Sequence, residues 1–163
     1  LRHRLESLDV TVRSAGMLED GRPASDHGVA ILRERGIDLS SHRSTLVTAE
    51  LVRSSDLILG MAREHARVVV DAPEAWPKTF LLKELVALGE DRGGRAPGQA
   101  FEEWLAKMHA GRSPQALMAS TGFDVDDPYG GSRKEYERTA AELSDLIDRL
   151  VRLAWPEVME GMA

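Results

Sequence analysis

Asp56-Leu57-Ile58-Leu59-Gly60-Met61 is the stretch on which the fold turns. Its run Leu57-Ile58-Leu59 is apolar at consecutive positions, whereas a strand with one wet face alternates apolar and polar residues. An unbroken run therefore predicts a central parallel strand covered on both faces. Working outward toward the N-terminus, Thr48 opens a short helix through Leu51 and Val52. Ser25, after Pro23, caps a helix that carries Val29, Ile31 and Leu32, and Gly36 closes it. Further back, the β-branched run Asp9-Val10-Thr11-Val12-Arg13-Ser14-Ala15-Gly16 predicts a strand ending in a loop. Leu1, Leu5 and Leu8 recur at helical spacing, as in the tail of an amphipathic helix. On the other side, a helix with His65, Val68 and Val69 is predicted. Thr79-Phe80-Leu81-Leu82 then reads either as a short strand leading into Lys83–Val86 or as part of one continuous helix.

This alternation predicts an α/β protein, a three-layer α/β/α sandwich around a parallel sheet, with ligands beyond the carboxyl ends of the strands. One domain, residues 1–155, is expected, followed by a tail at 156–163. Gly89 to Gly98 has the composition of a flexible surface loop, and a helix around Phe101 to His109 follows it. The stretch from about 89 to 121 is read as a helical and loop insertion within the domain. The last element is the clearest. Ser132-x-x-Glu135 is a capping box, and Tyr136, Ala140, Leu143, Ile147 and Leu150 form one apolar stripe of a long helix.

Composition narrows the function classes. The 163 residues are 42% hydrophobic and 29% charged, which is ordinary for a globular protein. A net charge of −6 argues against nucleic acid as the main partner, because phosphate neutralisation needs a basic patch. No apolar run is long enough to span a bilayer, and the first residues lack the apolar stretch of a secretory signal, so no membrane partner and a cytoplasmic location are expected. The chain has no cysteine, so disulfides, cysteine-ligated zinc and a thiolate nucleophile are all excluded within these residues. His3, His27, His65 and His109 have no ligand-like spacing, and no metal or other cofactor is expected.

The sharpest local feature is Asp124-Val125-Asp126-Asp127-Pro128-Tyr129-Gly130-Gly131, immediately before the capped helix. Turn chemistry alone accounts for such a composition. The functional reading is that one of the three carboxyl groups overhangs a site and acts as a general acid, its affinity for the proton raised by an acidic neighbour. A hard cation would need further oxygen ligands from elsewhere, and none stands out.

Asp127-Pro128-Tyr129-Gly130-Gly131 resembles the general-acid loop of the low-molecular-weight protein tyrosine phosphatases. Other segments agree in order. Val12-Arg13-Ser14-Ala15-Gly16 resembles the second strand and Ser-Ala-Gly turn of that family, and Gly21-Arg22-Pro23-Ala24-Ser25 its following helix start. Gly36-Ile37-Asp38-Leu39-Ser40-Ser41-His42-Arg43-Ser44 matches the pattern Gly-Ile-Asp-Leu-Ser-x-His-x-Ser/Ala, and Asp56–Met61 the third strand. The resemblance runs from Leu1 to about Val86 and resumes from Asp124 to Val151.

The resemblance implies a phosphoric monoester hydrolase with a cysteine-phosphate intermediate, acting on a phosphotyrosine protein or a small aryl phosphate. It implies that Asp127 is the general acid, with Asp126 and Asp124 as alternatives, and that Tyr129 walls the pocket for the aromatic ring. Ser14 and His42 would support the phosphate-binding loop, which in the family is Cys, five residues and Arg-Ser/Thr. That loop is absent from the sequence, and the resemblance places Leu1 inside the helix that follows it. The expectation is an N-terminally truncated, inactive form lacking the first strand and the loop, about twenty residues. Exposed sheet edges or core surface would then favour a homodimer. Two other readings stand beside this one. A pseudophosphatase would serve as a binding or regulatory module, although it has no catalytic reason to keep Asp127, Ser14 and His42. An arsenate reductase relative is disfavoured by the absence of cysteines to relay a disulfide.

Overall fold

The computed structural model describes residues 1–69 and 72–160. Two short strands, β1 (Ile58–Gly60) and β2 (Thr79–Leu81), pair in parallel, with Ile58 opposite Thr79 and Gly60 opposite Leu81. Successive side chains of a strand point to opposite faces, and the packing follows that rule. Phe80 and Leu59 join the main core, whereas Leu81 packs with Ala66 and Leu117, and Ile58 with Val52, Ala72 and Ala75. The sheet is thus covered on both sides, which is the α/β sandwich the sequence predicts. The more deeply covered strand is β2, all three of whose residues are buried, while Ile58 and Leu59 of β1 are only partly so.

The helices are α1 (Asp26–Glu34), α2 (Ala49–Ser54), α3 (Leu82–Arg92), α4 (Phe101–His109), α5 (Pro114–Ala119), α6 (Arg133–Ala154) and α7 (Glu157–Glu160). The expected caps form. The Ser25 side chain accepts from the Gly28 amide, and Thr48 accepts from the amide of Leu51. Gly36 follows α1 at φ 77°, a conformation that costs a side-chain-bearing residue free energy. The Ser132–Glu135 capping box opens α6, whose carboxylate Glu135 is held below the usual acidic range by the Ser132 amide and hydroxyl. The main core gathers Phe80, Leu85 and Val86, then Trp104 and Met108 of α4, then Leu146 and Leu150 of α6, with Leu5 from the N-terminus.

Several local expectations change. Residues 9–16 do not form a strand; only Gly16 makes an isolated parallel bridge, to Leu46. The carbonyl of Val12, which a ladder would use, accepts instead from the Arg2 guanidinium at 2.7 Å. An extended, β-branched run becomes a strand only beside a partner. The Leu1, Leu5, Leu8 periodicity ends as one 3-10 turn, Arg2–Arg4, with Leu5 fully buried behind it. The helix expected around His65 forms, as a 3-10 helix over Arg63–Val69, and the side chains of Val68 and Val69 lie outside the described set. Thr79–Leu81 resolves as strand followed by helix. Gly89 to Arg92, read as loop, completes α3, with Gly89 buried. Of the tail, Val158 packs against the main core, and residues 161–163 lie outside the described residues.

Candidate active site

The loop carrying the three aspartates is fixed to the end of β1. The Val125 amide donates to the Met61 carbonyl at 2.8 Å, one residue beyond the strand. This places the loop at the carboxyl end of a parallel strand, where open α/β sheets bind ligands. Asp124, Asp126, Asp127 and Tyr129 are therefore brought to one place, but their environments differ. Asp124 is consumed by structure: Oδ1 accepts from the Arg63 amide at 2.8 Å and Oδ2 from Arg63 Nε at 2.9 Å. Asp126 faces solvent and meets Arg138 Nη2 at 3.3 Å, a pair too exposed to contribute much.

Asp127 is exposed, and its Oδ1 accepts the Tyr129 amide at 2.9 Å. This is the short-range turn that an aspartate two residues ahead of an amide makes. It fixes the direction of the carboxyl group while leaving it open to a ligand. Pro128 then accepts the Gly131 amide at 2.9 Å, so the tip is a tight turn leading into the cap of α6. Gly130 sits at φ 76° in that turn. Tyr129 is 72% exposed, and its ring stands free instead of packing on the last helix.

Ser14 and His42 belong to a second set of contacts. Gly16 donates to Thr45 and its carbonyl accepts from Val47, which lays the segments around Ser14 and His42 side by side. Ser14 is exposed and His42 partly buried. The bonds that gather Asp124 through Tyr129 do not include either residue. No group of three His, Cys, Asp or Glu side chains among the described residues could hold a metal, and no helix among them is long and apolar enough to cross a membrane.

Sequence reasoning missed Arg63 and Lys83. The first ties Asp124; Lys83 Nζ donates to the Asp124 carbonyl at 2.7 Å and pairs with Glu142 at 2.6 Å. Single basic residues on a 3-10 helix and a helix start carry no signal of such a role. Only the folding back of the chain across a sequence separation of 61 reveals it for Arg63.

Comparison with known proteins bears on the family and the fold. The family model described as low molecular weight phosphotyrosine protein phosphatase matches residues 1–93. The chain is 32% identical over 149 residues to the protein-arginine-phosphatase of Bacillus subtilis, covering 90% of this chain and 77% of that protein. The YwlE arginine phosphatase from Geobacillus stearothermophilus superposes with a TM-score of 0.66 at 29% identity, over 95% of this chain and 81% of that one. A low molecular weight protein tyrosine phosphatase from T. tengcongensis gives 0.60 at 34% identity, over 86% and 75%. A parallel sheet covered on both faces, an Asp-Pro-Tyr loop at its carboxyl end and these matches together make the chain a member of the low molecular weight phosphotyrosine protein phosphatase family.

Proposed function

We propose that these residues supply the acid loop and pocket wall of a phosphoprotein phosphatase, with Asp127 as general acid and Tyr129 against the leaving group. The observation that carries the reading is Asp127 itself: an open carboxyl group, aimed by its bond to the Tyr129 amide, on a loop pinned at the carboxyl end of β1. In this reading a cysteine thiolate attacks phosphorus, the S–P bond forms as the P–O bond breaks, and Asp127 gives its proton to the departing oxygen. Water, deprotonated by the same carboxylate, then breaks the S–P bond and releases phosphate. The 163 residues contain no cysteine, so by themselves they are expected to show no turnover.

In a chain that carries the cysteine loop, Asp127→Asn should lower kcat on phenyl phosphate by roughly 10²- to 10⁴-fold. Phosphate-analogue binding should stay within a few-fold. Equal losses in rate and binding would refute the assignment, and a larger loss at Asp126→Asn would move the role to that residue.

Phosphoarginine is a second substrate class, favoured by the two relatives named as arginine phosphatases. Cleaving a P–N bond releases a guanidine that leaves as a cation, and the exposed carboxylates of Asp126 and Asp127 would stabilise that charge. The ratio of kcat/KM for a phosphoarginine peptide to that for a phosphotyrosine peptide separates the two.

A further inference from the structure

The two halves of the acid loop are held in different ways. At its base, every residue from Asp124 to Asp126 is gripped by another element. The Asp124 carboxylate takes the amide and Nε of Arg63, and its carbonyl takes Lys83 Nζ. Val125 donates to Met61, and the Asp126 carbonyl accepts from the hydroxyl of the buried Thr139 at 3.2 Å. Arg63 also donates to the Met118 carbonyl at 3.2 Å, and Lys83 pairs with Glu142 of α6. The base thus joins the end of β1, the start of α3, the end of α5 and the side of α6. At the tip, Asp127 to Gly131 hold contacts within the turn: Tyr129 to Asp127, and Gly131 to Pro128.

We propose that Arg63, Asp124 and Lys83 form a clamp that sets the position of Asp127, so that Asp124 is a positioning residue for the acid and not an acid itself. The inference rests on Asp127 being the general acid. The clamp pair is well suited to the task. Arg63 and Asp124 are each about 29% exposed, so their charge-assisted bonds are sheltered from full solvent screening, and two donors on one carboxylate fix its orientation as well as its distance. The second anchor, Lys83 on the helix that follows β2, donates to the backbone carbonyl of the same residue and ties it to α3 as well.

Two measurements test the clamp. In the 163-residue chain, Asp124→Asn should speed amide hydrogen exchange at Val125 and Tyr129, the two hydrogen-bonded amides of the loop, by about tenfold or more, while Leu150 in α6 exchanges at its original rate. Arg63→Met should give a comparable change at the same amides, because either variant removes the charge-assisted Nε bond while the amide of residue 63 can still donate to Oδ1. Acceleration spread evenly over α6 and the loop, or none in either variant, overturns the proposal. If Asp124→Asn fails to fold, Arg63→Met and Lys83→Met carry the same test.

In a chain bearing the cysteine loop, Asp124→Asn should lower kcat about tenfold for phenyl phosphate, a poor leaving group, and by much less for 2,4-dinitrophenyl phosphate, which departs without a proton. KM should change little for either. A loss equal for the two substrates means a merely structural role and defeats the clamp. The Asp127→Asn variant is read alongside: if it too lacks leaving-group dependence, the acid assignment has failed; if it shows that dependence and Asp124→Asn does not, only the clamp has.

Discussion

Residues 9–48 and residues 79–155 carry sequence patterns of similar clarity, yet they are built differently. In the second region Phe80, Leu85, Trp104, Met108 and Leu150 are fully or almost fully removed from solvent. In the first, Ile31 alone is buried. The N-terminal region is held instead by edges: a bridge at Gly16, hydrogen bonds from Ser44 to Arg22 and Glu19, and the contacts of α1 with α6 through Arg35 to the Ala140 carbonyl and Arg133 to Glu34. Motif strength therefore does not measure packing. Ser14 and His42 sit on segments positioned by backbone bonds, whereas Asp127 hangs from a loop nailed to the core.

The largest effect expected from this contrast is at Trp104. Its side chain is wholly buried in the main core, its ring stacks on Phe101, and its Nε1 donates to the Gly93 carbonyl at 3.2 Å. Trp104→Ala should lower unfolding free energy by about 3–5 kcal/mol, from the lost apolar contacts and the cavity they leave. Urea denaturation followed by far-ultraviolet circular dichroism would measure it. A change under about 1 kcal/mol, the size expected of an ordinary surface substitution or less, would mean that the α4 region is peripheral to the stable unit.

Much of this architecture was legible because it depends on local rules. The caps at Ser25, Thr48 and Ser132 need only a hydroxyl and the amides two or three residues later. The α6 stripe needs only helical spacing. What escaped the sequence depends on partners far along the chain. Whether Val10 and Val12 form a strand is decided by what lies beside them, and here Arg2 takes the Val12 carbonyl. Asp124, Asp126 and Asp127 are chemically identical as letters; Arg63, Arg138 and the Tyr129 amide make them an anchor, a solvated surface charge and an open carboxyl group. Arg112 is the extreme case. Its guanidinium lies buried against Glu84, donates to the Thr79 carbonyl, and covers the rings of Trp76 and Phe80 at 4.2 and 4.0 Å, with nothing in the sequence to mark it.

That cluster supplies a smaller, pH-dependent test of how tightly the C-terminal region is closed. His109 Nδ1 lies 3.4 Å from Arg112 Nη1. Burial, and then the Arg112 charge, push its pKa below the ordinary value, against a weaker opposing pull from Glu84. The imidazole is neutral in both states at high pH, so its contribution there is full. As pH falls through about 6.5, the ordinary value, the unfolded chain takes up a proton first, and stability drops until the folded pKa is reached. Unfolding midpoints between pH 7.5 and 5.5 should therefore fall, and His109→Gln should flatten that slope. A slope unchanged by the substitution would assign the titration to another group.

The smallest effect belongs to the other region. Leu18 is 92% exposed, on the turn between Gly16 and Gly21, so folding removes almost none of its surface from water. Transfer free energy scales with the area removed, so Leu18→Ser should change stability by no more than about 0.5 kcal/mol in either direction. Chemical denaturation of the pair of proteins checks this at a precision sufficient to see 1 kcal/mol. A loss above that size would show that the Met17–Leu18 segment is buried in solution, and the contrast between an edge-held N-terminal region and a core-held C-terminal one would shrink. A null result leaves the contrast intact and assigns the cohesion of residues 9–48 to its hydrogen bonds and to the face of α1 that meets α6.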